Sequence, residues 1–431
     1  MLPYAGEPHA SEPRAREPHP TEPHPTEPLP GDSSPSDLHA GDPDPTGLFD
    51  GEPALRQFSG EIRELGSRWL DSVLSDPAVA AAGGDAVCSP AGLWLALAAV
   101  GCGAQGDTAD ELADLTGLAG PEAAPVVTAV ARELAATDAL AAATGVWTRV
   151  PLRASLVEAL PDVAFGPLRD PAAIDAWVAR ETAGLIGALP FRPGPATLLV
   201  LVNALALQAR WARPFAPERT RDAPFRTAQG TEATVRMMSA DVPVGDVWTI
   251  GAHGGDVHVV ELACAGENPA LVRFALGPEG MPPAPVMSAA WAPRRAGTPA
   301  PYRRAAVRIP RFGLRTVLDV TAHLPALGIT AAADPRTADF GGLAEGGADE
   351  EFFVDRVGQE TLLRVAEEGV EAAAATWVAT RGGAPAAPPS FLELVYDRPF
   401  ACAVMDASGT VPLFAAYQAT APDPGENPAR A

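Results

Sequence analysis

From residue 54 onward, hydrophobic positions fall into two periods. Phe58, Ile62, Leu65, Trp69 and Val73 recur at three- and four-residue steps, which predicts an amphipathic helix. Pro90 is followed by residues 91–100, apolar at nearly every position, which predicts a helix buried on all sides. Ile174, Trp177, Val178 and Leu185 lie near one face and predict another helix over 173–186. The run 197–207 is rich in Leu and Val on both alternating faces, as a central strand of a large sheet must be. Shorter strand-like runs follow at 233–238, 257–262, 271–276, 306–309, 391–396 and 400–405. Helices early and strands late predict an α+β fold with mixed sheets rather than regular βα alternation.

Residues 1–53 break this pattern. They hold 13 of the 47 prolines and four of the seven histidines. Proline at that density blocks helices and sheet ladders, and too few apolar residues remain to offset the entropy of ordering. The expected division is a disordered N-terminal tail over 1–53, one domain over 54–423 and a disordered C-terminal tail over 424–431. The irregular spacing of the tail histidines suits a solvated segment better than a metal site.

Composition narrows the function classes. With 47% hydrophobic and 20% charged residues, the 431-residue chain has ample material for a core. A net charge of -23, with every basic residue an Arg, repels nucleic acid and anionic membrane. The lack of Lys removes Schiff-base chemistry and the phosphate-binding lysine of a P-loop. Abundant Ala, Gly, Pro and Arg suggest a GC-rich, bacterial genome. Cys88, Cys102, Cys264 and Cys402 lie far apart in apolar surroundings, without metal-ligand spacing or a disulfide framework. They are expected to be buried free thiols in a reducing compartment. The start MLPYAGEP has neither a charged nor an apolar leader region, and the longest apolar run is too short to span a bilayer, so a cytoplasmic location is expected.

Nothing in the sequence supplies an active site. Outside the tail only His253, His258 and His323 remain, and there is no G-x-S-x-G or H-E-x-x-H motif. Asp406-Ala407-Ser408-Gly409 reads as a turn after a strand. His253 and His258, five apart, read as a loop-to-strand junction. No enzyme activity, metal or cofactor is expected.

Residues 370–382 carry an unusual double signal. One alternate set, Val370, Ala372, Ala374, Thr376, Val378, Thr380 and Gly382, is uncharged and mostly small, so it suits burial as one face of a strand. The other set, which includes Glu371, Trp377 and Arg381, would face solvent. Gly369 before the segment, and Gly382-Gly383 with three prolines after it, suit a mobile loop. A sequence compatible with both states is what a loop-insertion switch requires. Thr376, Trp377, Val378 and Thr380 weigh against a plain alanine-rich helix.

Five segments, this one among them, share one resemblance. Ser89-Pro90, an apolar helix, then Gly103, Ala104, Gly106, Asp107 and Thr108 form the first. Leu201-Val202-Asn203-Ala204, Trp211, Pro214-Phe215, Thr220, Pro224-Phe225 and Met237-Met238 form the second. Pro310-Arg311-Phe312, Leu327-Gly328-Ile329-Thr330 and Ala338-Asp339-Phe340 form the third. Glu367-Glu368-Gly369, Glu371 and the run Ala372 to Thr376 form the fourth, and Arg398-Pro399-Phe400 with Leu413-Phe414 the fifth. In this order and spacing, residues 55–422 resemble the serpin family.

The resemblance implies a serpin fold with three β-sheets, eight or nine helices and an exposed reactive-centre loop. It implies a monomer whose partner is a target serine protease, inhibited as the protein acts as a suicide substrate: acyl-enzyme formation is followed by insertion of the cut loop into sheet A. The alternative is a non-inhibitory serpin acting as a binding or chaperone-like protein. The implied hinge is Glu367, Gly369, Val370, Ala372, Ala373, Ala374, Ala375 and Thr376, with Val370 where the family usually has Thr. The implied breach is Trp211, Arg311 and Glu367, with Arg311 and Glu367 as an ion pair. The implied shutter is Ser89, Gly92, Asn203 and Gln359. Here Gly replaces the family's second Ser and Gln its His, so a hydroxyl is lost while an amide that donates and accepts is kept. Counting from Gly369 puts the scissile bond at Gly383-Ala384, and counting back from Pro399 lands near Pro388. The first count favours subtilisin- or elastase-like proteases. Arg381-Gly382 is the alternative and would suit a trypsin-like pocket.

Overall fold

The run 91–100 folds as the helix Pro90–Gly101 because Ser89 caps it, accepting from the backbone N–H of Gly92, and Pro90 supplies the first helical φ. All twelve of its residues are buried. The amphipathic run becomes the helix Ser59–Leu74, with Ile62, Leu65, Trp69 and Val73 in the core. In this computed structural model the described residues are 53–187, 192–345, 352–370 and 391–422. The expected tails, Pro53 excepted, lie outside them, as do residues 371–390. The described residues all belong to one compact unit, Pro45–Ala431.

The helix predicted over 173–186 is shorter, Pro171–Glu181. Ala183 (φ 52) and Gly184 (φ 82) turn left-handed behind it, so Leu185 is not on its face. His253 lies in the turn before the strand Gly255–Ala263 and His258 within that strand, opposite Thr249, so the pair spans a loop-to-strand junction as expected. The Asp406 motif is a turn: its carboxylate accepts from the backbone N–H groups of Ser408, Thr410 and Val411, and Gly409 has φ 70. All four cysteines are free and buried, and burial pushes the Cys88, Cys102 and Cys264 thiols up to about 12, which leaves them unreactive.

Nine α-helices are present among the described residues, around three large sheets and a two-stranded ladder. The seven-stranded sheet runs from Ala86–Cys88 through Pro412–Gln418, Phe400–Met405, Leu271–Leu276, Gly255–Ala263 and Val247–Ala252 to Thr298–Pro299. The four-stranded sheet has the order Phe391–Val395, Arg304–Pro310, Glu232–Val242, Arg221–Arg226. The five-stranded sheet has the order Phe312–Asp319, Arg356–Val365, Leu199–Leu207, Leu140–Thr148, Ala164–Pro167.

Leu199–Leu207 is the predicted central strand, buried at all nine positions. Leu199, Leu201, Leu205 and Leu207 enter the main core together with the helix Pro90–Gly101. Val200, Val202 and Ala204 enter a second cluster with Trp147 and with Ile174 and Val178 of the helix Pro171–Glu181. This explains why no alternation is visible in the sequence there: both faces are covered.

Candidate hinge and sheet-opening site

Two strands of the five-stranded sheet form the seam that matters. Arg356–Val365 and Leu199–Leu207 pair directly and in parallel, from Arg356↔Val200 to Leu362↔Ala206. Just beyond the top of this seam the chain doubles back, and Gly369–Val370 pairs antiparallel with Ala209–Arg210. Gly369 fits because it has no side chain: a Cβ there would meet the Ala209 carbonyl oxygen at 2.1 Å. Val370 follows it into the core with 0% exposure.

Above the seam, Glu367 is the centre of a clasp. Its side chain is 4% exposed and accepts from Arg311 Nη2 at 2.5 Å and from Thr220 Oγ1 at 2.6 Å. Its backbone carbonyl accepts from the Phe215 N–H at 2.8 Å. Trp211 spans the same turn, its indole N–H donating to the Ala366 carbonyl at 2.9 Å and its backbone N–H to that of Glu368 at 3.0 Å. Burial alone would raise the Glu367 carboxyl, but the Arg311 and Thr220 hydrogen bonds outweigh it and hold the group below the usual carboxylate range. The folded state therefore binds this proton less readily than the unfolded chain, so the stability it contributes is present above the unfolded value near 4.5 and is lost as pH falls toward the folded one. Glu367→Gln is expected to cost about 1–3 kcal/mol at pH 7. Urea unfolding should show that difference shrink below about pH 4.

Lower down the seam, a buried amide cluster ties the two strands to the helix behind them. Gln359 and Asn203 are cross-strand partners, as are Asn203 and Thr144. Gln359 Nε2 donates to Asn203 Oδ1 at 3.0 Å and to the Ser89 carbonyl at 2.9 Å, while its Oε1 accepts from the Ser89 N–H at 2.7 Å. Asn203 Nδ2 donates to Thr144 Oγ1 at 2.9 Å, and Ser89 Oγ to the Leu413 carbonyl at 2.6 Å. The amide of Gln359 thus satisfies a backbone donor and acceptor at once, and separating the strands means breaking its bond to Asn203.

Gly92 has a steric role in this cluster. A Cβ at that position would lie 2.1 Å from Asn203 Oδ1 and 2.6 Å from Leu205 Cδ1. The missing hydroxyl is therefore matched by an Asn203 side chain that occupies its space. Gly92→Ser, although it restores the residue the family commonly has, is expected to destabilise the protein by about 1–3 kcal/mol through overpacking, read as a lower midpoint in urea.

The structure brings together Trp211, Arg311 and Glu367 in one clasp, and Ser89, Gly92, Asn203 and Gln359 in one cluster. Gly369 and Val370 lie at the start of the hinge. Glu371, Ala372, Ala373, Ala374, Ala375, Thr376, Arg381, Gly382, Gly383 and Ala384 lie outside the described residues. The expectation that the set containing Glu371, Trp377 and Arg381 faces solvent falls on residues outside the described ones. The face of Leu199–Leu207 formed by Val200, Val202 and Ala204 is buried against the helix Pro171–Glu181. Only above it, at Gln208 and Arg210, does that face become exposed. Sequence reasoning assigned no site role to Thr144 or Thr220. Thr144 sits in an alanine-rich stretch that gives no strand signal, and Thr220 is recognisable only once Glu367 is seen beside it.

The class defined by these features is structural: an α+β fold of three large sheets with a clasped turn above a closed central seam. Residues 72–419 match the family model described as Serpin (serine protease inhibitor), and the chain belongs to the serpin family. Serpin-Z2B of Oryza sativa subsp. japonica is 30% identical over 368 residues, covering 77% of this chain and 90% of its own length. Glia-derived nexin of Mus musculus is 30% identical over 243 residues, covering 54% and 59%. Among solved structures, the thermophilic serpin Tengpin in its native state aligns with a TM-score of 0.71 at 18% identity, over 84% of this chain and 94% of that one. Human thyroxine-binding globulin complexed with thyroxine aligns at 0.68 and 20% identity, over 86% and 100%. Members of the family act on target proteases, and the chain is not an enzyme.

Proposed function

We propose that this serpin is inhibitory and acts as a suicide substrate. The observation that carries the reading is the antiparallel rung Gly369–Val370 on Ala209–Arg210, directly above two strands that are paired with each other and not with the loop. The hinge is thus already in the direction and register an inserted strand needs, while the seam below it is still closed. Extending the register brings Ala372, Ala374 and Thr376 opposite Leu207, Leu205 and Asn203, all on the main-core side. Val370, the first of that set, is buried without strain on any polar group. A non-inhibitory serpin would typically carry a bulky or charged hinge, which this chain lacks.

In the proposed reaction the protease serine Oγ attacks the carbonyl carbon of Gly383. The peptide bond to Ala384 breaks, the new amine takes the proton that the protease base removed from the serine, and Gly383 stays esterified to the protease. Insertion then separates Gln359 from Asn203, and Thr376 becomes a new hydrogen-bonding neighbour for Asn203. The tethered protease is carried down the sheet before water can release it.

The small residues around Gly383 favour a protease of subtilisin or elastase type, with Arg381 the alternative for trypsin. The bacterial source belongs to the same proposal and rests on composition. The test is to mix the protein with subtilisin, elastase and trypsin and look for a covalent adduct that survives SDS. Cutting of the loop by all three without any adduct would overturn the inhibitory reading.

A further inference from the structure

Large apolar side chains are almost all buried; among the described residues only Val157 (37%) and Phe391 (50%) are exposed. Phe391 opens the edge strand Phe391–Val395 of the four-stranded sheet, where the chain emerges from residues 371–390. It pairs in register with Arg304, and Val395 with Arg308, so these four side chains share the outward face of two adjacent strands. The inward face is a separate population: Ala305, Val307, Ile309 and Leu394 enter the main core.

The charge on this face runs against that of the chain. Arg304 and its neighbour Arg303 are exposed, Arg308 is half-buried, and none of the three has an ion-pair partner among the described residues. On the two strands nearest Phe391 the carboxylate of the same face is Glu393, opposite Ala306; on the next strand Asp241 is engaged by Arg219 at 3.1 Å, and further across the sheet Asp222 and Glu232 lie opposite Arg236 and Arg226. Around Phe391, three arginines without an ion-pair partner among the described residues against the one carboxylate Glu393 make a local positive surface on a protein of net charge -23. An unpaired Arg beside a half-exposed Phe is the composition of an interface centre rather than of an ordinary solvated face.

Chain length says what can reach it. From Ala384 to Phe391 the chain spans at most about 25 Å. A protease domain of roughly 220 residues has a radius of gyration of about 17 Å. A protease seated on the loop is therefore within reach of the face that begins at Phe391. We propose that Arg304, Arg308 and Phe391 form a second contact surface for the target protease, engaging an acidic patch with an apolar centre on the leaving-group side of its cleft. The proposal rests on the reading that the loop is cut by a protease, and not on whether the protease is then trapped. Charges at such a rim act mainly on the association rate, and salt screens them.

The test uses the full chain and two trypsins of one cutting specificity, an anionic and a cationic form, both directed to Arg381, the only basic residue between Arg364 and Arg398. The readout is the rate of first loop cleavage, together with the SDS-stable adduct. The double variant Arg304→Glu with Arg308→Glu is compared with Arg169→Glu with Arg336→Glu, an equal charge change at exposed positions outside this sheet. For anionic trypsin, the face variant should be cut about tenfold more slowly than the control at low salt, and the gap should close near 0.5 M NaCl. For cationic trypsin it should not be slowed. Phe391→Ser should slow anionic trypsin at both salt levels. Equal rates for the two double variants overturn the proposal. So does binding of heparin by the wild type and not by the face variant with cleavage rates that track the control, since the face would then serve a polyanion. A loop that is cut at the expected rates without any adduct ends the inhibitory reading and leaves this one standing.

Discussion

Ala374→Arg is expected to convert the protein from an inhibitor into a substrate while leaving protease recognition and the uncut fold nearly unchanged. The rung at Gly369 and Val370 sets the register, and continuing it brings residue 374 opposite Leu205 on the face that packs against the helix Pro90–Gly101. A guanidinium there would be buried without a partner, at a cost of about 3–5 kcal/mol. That cost falls on the inserted state, so insertion slows relative to hydrolysis of the acyl-enzyme. Ala373→Arg is the control. Residue 373 would come opposite Ala206, on the other face and next to the exposed Gln208, where a long side chain can reach solvent. The measurement is the number of inhibitor molecules consumed per protease inactivated. It should rise on the order of tenfold or more for Ala374→Arg and far less for Ala373→Arg. Equal behaviour of the two variants would mean that the register does not continue from the rung. No change in either would mean that inhibition does not need insertion.

Cleavage of the loop between residues 377 and 388 should raise the Tm of the intact protein by about 10–20 °C. In the closed sheet, the seam from Arg356↔Val200 to Leu362↔Ala206 is a single parallel ladder. Insertion replaces it with a new strand that pairs antiparallel on both sides. About ten residues gain ladder bonds, at roughly 0.5–1.5 kcal/mol each, for a gain on the order of 5–15 kcal/mol. For a domain of this size, roughly 1–2 °C per kcal/mol converts that into the shift expected. The Gln359–Asn203 bond is lost on the way, but Thr376 offers Asn203 a replacement hydroxyl. Thermal melting before and after limited proteolysis decides the matter, and identical midpoints would leave only a non-inhibitory role.

Beyond Val370 the hinge reading rests on the sequence alone, which is written for two environments at once. Small uncharged residues at every second position from Val370 to Gly382, bounded by glycines and prolines, have no other simple use. The long buried strand and the helix behind it were legible too, since continuous apolar runs can only be covered on both sides. The strand Leu140–Thr148 was not, because Leu-Ala-Ala-Ala-Thr-Gly favours a helix or nothing by propensity. It is a strand because Leu199–Leu207 offers it nine antiparallel partners.

Side-chain partnership marks the same division. Composition and spacing by themselves determined that this chain is an acidic α+β protein with a segment suited to both loop and strand. They could not reveal that Gly92 is empty so that Asn203 can fill its place, that Glu367 is shared by Arg311 and Thr220, or that the second face of the central strand is covered by the helix Pro171–Glu181. Periodicity reports which side of an element is apolar, a property of neighbours in sequence. What occupies the space on that side is fixed by residues distant in sequence, 59 to 270 positions apart in the amide cluster, which meet only when the sheets close.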